Sequence, residues 1–157
     1  MTSRPGLIDS RFRVPTILLG IGLGGFFDGI VLHQVLQWHH LLSTPYPPDS
    51  LANLELNTLA DGIFHLATWA ITALAVVAVW MTVRETGGRP SWRVLVGGAL
   101  TGWGGFNVVE GIVDHQLLGI HHVRPGADAL LWDIGFLAWG ALMLVAGLAI
   151  LRRARPA

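Results

Sequence analysis

Seven histidines (His33, His39, His40, His65, His115, His121 and His122) and a set of acids (Asp28, Asp61, Glu110, Asp114, Asp128 and Asp133) are the residues of this chain whose types can do chemistry. Cysteine is absent, which removes disulfides, thiolate metal sites and a cysteine nucleophile together. Imidazole with carboxylate and no thiolate suits zinc, copper(II), iron or manganese. Copper(I) handling by sulfur is disfavoured, because Met81 and Met143 fall at the opposite ends of their apolar stretches from the histidines.

Helical spacing sorts these residues. At about 100° per residue, a separation of seven returns to within about 20° of one direction, so His33 and His40 share a face, as do His115 and His122. Asp61 and His65, four apart, can offer one ion two ligands from one helix, and Glu110 and Asp114 repeat that spacing. Asp28 and Glu110 stand about 140° from His33 and His115, five residues on, so each needs a different neighbour or a local distortion of its helix. The Glu-x-x-His spacing of dinuclear iron bundles is not present, and no Ser, His and Asp arrangement stands out as a hydrolase triad.

The chemistry-bearing segments are duplicated. Residues 29–40 read GIVLHQVLQWHH and residues 111–122 read GIVDHQLLGIHH, identical at eight of twelve positions with an offset of 82. An acid precedes each block, Asp28 or Glu110, and a GGF string precedes each acid, at 24–26 and 104–106. Aligning both strings requires two extra residues in the second half. Asp61 and Asp128 lie near the outer ends of the other two apolar stretches, with His65 opposite Trp132 or Asp133. Leu32 stands where the second block has Asp114, so a cluster built from both halves is not symmetric in detail.

The elements that must hold these residues are apolar. The chain has 157 residues, 52% hydrophobic and 13% charged, against about 25% charged in an ordinary soluble domain. Four stretches, 14–38, 59–83, 94–120 and 127–151, are each long enough to cross a hydrocarbon core of about 30 Å. The first is too long for a cleavable signal peptide, and no small-residue cleavage site follows it. Arg4, Arg11 and Arg13 precede the first stretch, Arg84, Arg89 and Arg93 flank the middle connection, and Arg152, Arg153 and Arg155 follow the last; only Arg124 lies on the other side. The positive-inside rule then puts both termini in the cytoplasm and the histidines in the outward half. Zero formal net charge with no basic excess argues against nucleic acid as a partner.

An ionisable side chain within a span costs about 2.5 to 3.5 kcal/mol on insertion scales, so the cluster must be compensated by mutual pairing, water or a metal ion. Hydrogen bonding between helices that simply holds the bundle together is the competing account, and it applies most strongly to the span-end pairs His39, His40 and His121, His122. The glycines at 20–25 and 97–105 read as close-approach faces between helices; no GK[ST] follows, which excludes a nucleotide loop. The seven tryptophans fall largely near span ends, as an aromatic belt requires. Ser50, after Pro45, Pro47 and Pro48, can cap a helix whose leucines lie along the interface.

The strings GGFFDGIVLHQVLQWHH, ADGIFH and GFNVVEGIVDHQLLGIHHVRPGAD resemble a bacterial family of small predicted membrane proteins catalogued as a domain of unknown function (2243). The resemblance implies four spans and a plasma (inner) membrane location, and it carries no activity.

The expectation is therefore one all-α, four-span membrane domain over 1–157, a four-helix bundle of two parallel repeats, about 14–83 and 94–151. It carries a His and carboxylate metal centre opening outward. His33, His65 and His115 lead the ligand set, with Asp61, Glu110 and Asp114 as carboxylate ligands or as groups that orient the ligands, and His40 and His122 as further ligands. Asp28 and Glu110 are the acids that would handle protons, Glu110 also being a carboxylate able to ligate. A zinc, copper or iron centre would serve redox or hydrolytic chemistry on a small or lipid-borne substrate; whether the protein is an enzyme stays open. The alternatives are electron transfer through haem b, with His33 and His115 as axial ligands, and metal handling or assembly without catalysis. The lipid bilayer is the first partner; further copies of the chain and respiratory or metal-handling membrane proteins are candidates.

Overall fold

A computed structural model describes residues 5–154, and the described residues form helices joined by loops, with no strand. Four α-helices carry the fold: α1 (Pro5–Phe27), α2 (Leu51–Thr86), α3 (Trp92–Glu110) and α4 (Ala129–Arg153). Two π-helical segments, Asp28–Val35 and Gly111–Leu117, continue α1 and α3. Arg4 and Arg155, used above to read orientation, lie outside the described residues.

The helix starts follow their sequence signals. Ser50 caps α2 by accepting from the Asn53 amide, so α2 begins at Leu51 and absorbs the leucines expected along the interface. Gly87, at φ 65°, ends α2 in the left-handed conformation that glycine adopts without strain. Ser91 caps α3 and is itself held by Asp9, whose carboxylate accepts from the Ser91 amide and hydroxyl, both at 2.9 Å. The start of α1 is thereby tied to the start of α3.

The interior is polar and the exterior apolar. Asp28, His33, Asp61, Glu110, His115 and Asp133 are all buried, whereas Leu59, Ile63, Leu66 and Trp69 on α2 are each about 60% exposed. Only a small apolar cluster, Phe12, Val94 and Leu151, closes the end where the arginines gather. Three segments, Asp9–Val35, Leu51–Thr86 and Ala129–Arg153, are long and apolar enough to cross a membrane. The stretch around α3 does not stand with them, because five glycines and Asn107 dilute its apolar content. It is also the inner helix, packed against both α1 and α4, with Val94, Gly97, Gly98, Thr101, Gly102, Gly104, Asn107 and Glu110 buried.

Close approach makes α3 the hub. A Cβ at Gly102 would run into the Ile17 carbonyl, and one at Gly20 into the Ala99 carbonyl, so each helix offers a glycine to the other's backbone. On the outer flanks, Gly22 meets Thr72 of α2 and Gly104 meets Leu144 of α4. These contacts recur at a constant offset of 82 within α1 and α3 and 72 between α2 and α4. The two GGF strings, offset by 80, do not: Gly24 faces Trp103 whereas Gly104 faces Leu144. No two-residue insertion is needed, and the GGF match is staggered along the helix.

Candidate metal centre

The π-helical segments solve the angular problem posed by a separation of five. A π-turn bonds residue i to i+5 and so brings those two residues onto one face. Asp28 and His33 accordingly meet, Nε2 to Oδ2 at 3.0 Å, and Glu110 meets His115, Nε2 to Oε1 at 2.9 Å. Both segments end alike. The Leu36 amide donates to Val31 and that of Trp38 to Leu32; Leu118 donates to Val113 and Ile120 to Asp114, all at 2.8 to 3.0 Å. Gln37 (φ 49°) and Gly119 (φ 58°) then turn the chain out of the helix. The residues that follow are released from helical spacing: His39 and His121 fold back inward, while His40 and His122 stay on the outside.

Two carboxylates on the flanking helices gather the outer atoms. Asp61 of α2 lies 2.9 Å from His33 Nδ1 and 2.7 Å from His40 Nδ1, and accepts from the Leu41 amide at 2.9 Å. Asp133 of α4 lies 3.5 Å from His115 Nδ1 and 2.7 Å from His122 Nδ1, and accepts from the Val123 amide at 3.0 Å. The remaining two histidines reach across: His39 Nδ1 donates to the Val123 carbonyl at 2.8 Å, and His121 Nδ1 to the Leu41 carbonyl at 3.1 Å. Their rings stack at 4.6 Å, only 6° from parallel.

This outer ring of acceptors fixes the tautomers. With the Nδ1 atoms of His33, His39 and His121 bonded outward, their Nε2 lone pairs are left facing inward; His115 Nδ1 lies 3.5 Å from Asp133 without a hydrogen bond. The Nε2 atoms of His33, His39 and His115 are buried without a hydrogen-bond partner, as is Glu110 Oε2. Ligand atoms of His33, His39 and His121 lie within 4.8 Å of one another, and so do those of Glu110, His115 and His121. A neutral Nε2 set 2.9 to 3.0 Å from a carboxylate oxygen is two lone pairs face to face, which a cation between them relieves. Two ligands held about 2.1 Å from one ion at angles of 90° to 110° are themselves about 3.0 to 3.4 Å apart, matching these separations. Burial, with His121 and His33 alongside, holds the His39 imidazole far below its ordinary value, at about 3.

The expected residues therefore divide into layers. His33, His115, Asp28 and Glu110 are at the centre. Asp61 is one layer out, orienting His33, and His40 and His122 are a further layer out, half-buried against Asp61 and Asp133. The helical argument that pairs Asp61 with His65 does not describe the contacts: Asp61 turns to the α1 side, and His65 Nε2 lies against Gly29, outside both ligand groups. Asp114 is half-buried and its carboxylate takes no hydrogen bond among the described residues; it lines a crevice beside α1. Asp128 starts α4, exposed, and Asp133 holds the position equivalent to Asp61. Both His39 and His121, set aside above as span-end residues, belong to the centre.

A signal for Asp133 was present. Asp61 is followed three residues on by Phe64, and Asp133 by Phe136, and each phenylalanine packs on the first histidine of its half, at 5.7 Å on His33 and 5.4 Å on His115. Outside the centre lies a vestibule of about 800 Å3, lined by Gln34, Trp38, His39, His40, Thr58 and His122 among others.

A family model described as Predicted membrane protein (DUF2243) matches residues 15–154. No curated protein and no solved structure matches the chain.

Proposed function

This chain belongs to the family of predicted membrane proteins (DUF2243), and from that premise we propose that it spans the membrane four times as two similar halves enclosing a transition-metal centre. The centre takes His33, His39, His115 and His121 as nitrogen ligands and Asp28 and Glu110 as carboxylates. Asp61 and Asp133 orient His33 and His115. One observation carries the reading: four histidines whose Nδ1 atoms are each turned to an outer acceptor while their Nε2 atoms converge on two buried acids. Recurrence of the contacts at offsets of 82 and 72 supports two parallel halves, 14–83 and 94–151, and α3, though glycine-rich, is the fourth span. The arginine distribution supports cytoplasmic termini in a bacterial plasma membrane, with the vestibule opening outward.

Zinc, copper(II), iron and manganese remain the classes suited to this donor set, serving redox or hydrolytic chemistry on a small or lipid-borne molecule. An ion is favoured over haem b because the axial nitrogens of a haem must face each other across a macrocycle. Here His39 stacks directly on His121, and the Nε2 atoms of His33 and His115 each face a carboxylate, Asp28 and Glu110.

Elemental analysis of the full chain purified in detergent is expected to find metal in stoichiometric amount; protein that holds none after growth with all four metals supplied overturns the reading. Asp61→Asn and Asp133→Asn keep the shape of the orienting side chain and remove its charge. Each is expected to weaken metal retention against a competing chelator by about 10- to 100-fold, the usual cost of an outer partner.

A further inference from the structure

Beside the centre, α1 and α3 diverge. They are in backbone contact where Gly102 meets Ile17 and Ile21, and outward of that crossing a crevice of about 500 Å3 opens between them, with Phe64 of α2 also in its lining. Its walls are apolar: Ile17, Ile21, Phe64, Phe106, Val109 and the flat surface of Gly102 and Gly105. Val109, on the rim, is 62% exposed on the apolar exterior, so the mouth faces lipid.

The crevice is not a consequence of the helix crossing alone. The equivalent interval in the other half, 82 residues earlier along the first helix, is occupied. Leu23 stands where this half has Gly105, and Phe27, where it has Val109, packs its ring 5.3 Å from that of Trp103. No side chain atom lies within 4 Å of where a Cβ on Gly105 would stand. Apart from Thr101, whose hydroxyl donates to the Gly97 carbonyl, the lining departs from apolar character at a pair of acids one helical turn apart. Asp114 is half-buried, and its carboxylate has no hydrogen-bond partner among the described residues, where the other half has Leu32. Glu110 is 94% buried, since only 6% of its surface is exposed, and its Oε2 is unpartnered while Oε1 serves His115 and His121. A carboxylate oxygen at the end of an apolar slot is a vacant acceptor, and a hydroxyl donor satisfies it while a cation with its water would not cross the apolar walls.

We propose that this crevice binds a bilayer-dissolved aromatic alcohol, its ring lying flat against Phe106 and the glycine wall and its hydroxyl donating to the Asp114 carboxylate. Such a molecule reaches the centre from the lipid side while the vestibule serves the aqueous side. That it is the centre's substrate rests on the metal reading; its binding does not.

The test uses the full chain in lipid nanodiscs, with 1-naphthol and its methyl ether as probes and empty nanodiscs subtracted. Metal content is measured on the same samples. The wild type is expected to prefer the alcohol over the ether by about tenfold or more, the worth of one hydrogen bond to a charged acceptor. Asp114→Asn is expected to lose most of that preference, and Gly105→Phe to lose binding of both probes, with metal content unchanged in each. Gly105→Leu, which installs the residue found at the equivalent Leu23, covers the case in which phenylalanine disturbs folding. Equal affinity for alcohol and ether in the wild type overturns the proposal, as does undiminished binding in a folded Gly105 variant. Absence of metal with the naphthol preference intact removes the metal reading and leaves the crevice standing.

Discussion

His121→Ala is expected to strip the protein of bound metal, while His122→Ala, one residue on, leaves most of it in place. The two histidines share a type, a loop and nearly a depth, so an account in which they merely solvate the span end predicts the same outcome for both. The geometry separates them. His121 is 1% exposed, lies 3.0 Å from Glu110 Oε1, and belongs to both groups of converging ligand atoms. Its removal therefore takes a ligand from each group, a larger loss than the about 10- to 100-fold cost of an outer partner. His122, with 37% of its side chain exposed, meets Asp133 at 2.7 Å and reaches the centre through that carboxylate. Metal content after dialysis against a chelator reads the difference. Equal losses in the two variants would sink the layered description of the site; equal retention would sink the centre itself. Asn in place of His121 is a useful companion, because it keeps a polar side chain that can still bond the Leu41 carbonyl without supplying an imidazole.

How far the sequence carries this site depends on which geometric rule governs each residue. Duplication of GIVxHQxL blocks placed His33 and His115 together, and the separation of five between acid and histidine called for either a different neighbour or a local distortion of the helix, of which the π-helical segments supply the second. The i, i+7 pairs do share a carboxylate, His33 and His40 on Asp61 and His115 and His122 on Asp133. Rules of helical spacing give no account of His39 and His121, however, and the i, i+4 rule assumes that both residues of a pair look toward the same neighbour. The helical segments stop at Val35 and Leu117, short of the expected 38 and 120, because Gln37 and Gly119 take left-handed turns. His39 and His121 are then positioned by bonds to the opposite half, at Val123 and Leu41, contacts that join residues 84 and 80 apart in the chain. No local pattern reports such a pair. Asp133 was hidden by alignment: pairing Asp61 with Asp128 set His65 opposite Trp132 or Asp133, whereas the glycine contacts match Thr72 with Leu144, 72 residues apart, a spacing that sets Asp61 opposite Asp133. Its Asp-x-x-Phe spacing, shared with Asp61, is a two-residue signature that acquires meaning only once Phe64 and Phe136 are seen against the histidines.

The same reciprocity fixes where the bundle tolerates no added atom, and Gly102→Ala is expected to be the most damaging single methyl that can be placed on it. The new Cβ would meet the Ile17 carbonyl and come within 2.8 Å of the Ile21 amide nitrogen, both main-chain atoms that cannot rotate away. Relief requires α1 and α3 to separate, and these two helices hold Asp28, His33, Glu110 and His115 in register. Overpacking of a closed interface costs about 1 to 3 kcal/mol when side chains can adjust and more when backbones must move, so a loss of about 3 kcal/mol or more is expected. Gly62→Ala on α2 is the matched control, for nothing lies within 4 Å of its added Cβ and the residue faces the exterior. There the substitution gains up to about 1 kcal/mol from helix propensity alone. Thermal unfolding of the detergent-purified chain should move the two midpoints in opposite directions. If Gly102→Ala unfolds at the wild-type temperature, α1 and α3 do not approach as closely as described, and the shared placement of the two buried acids falls with that contact. If it unfolds early but binds metal normally below its midpoint, the helices can part without opening the centre. Asp61 and Asp133, anchored on the flanking helices, would then be what holds the ligands in place.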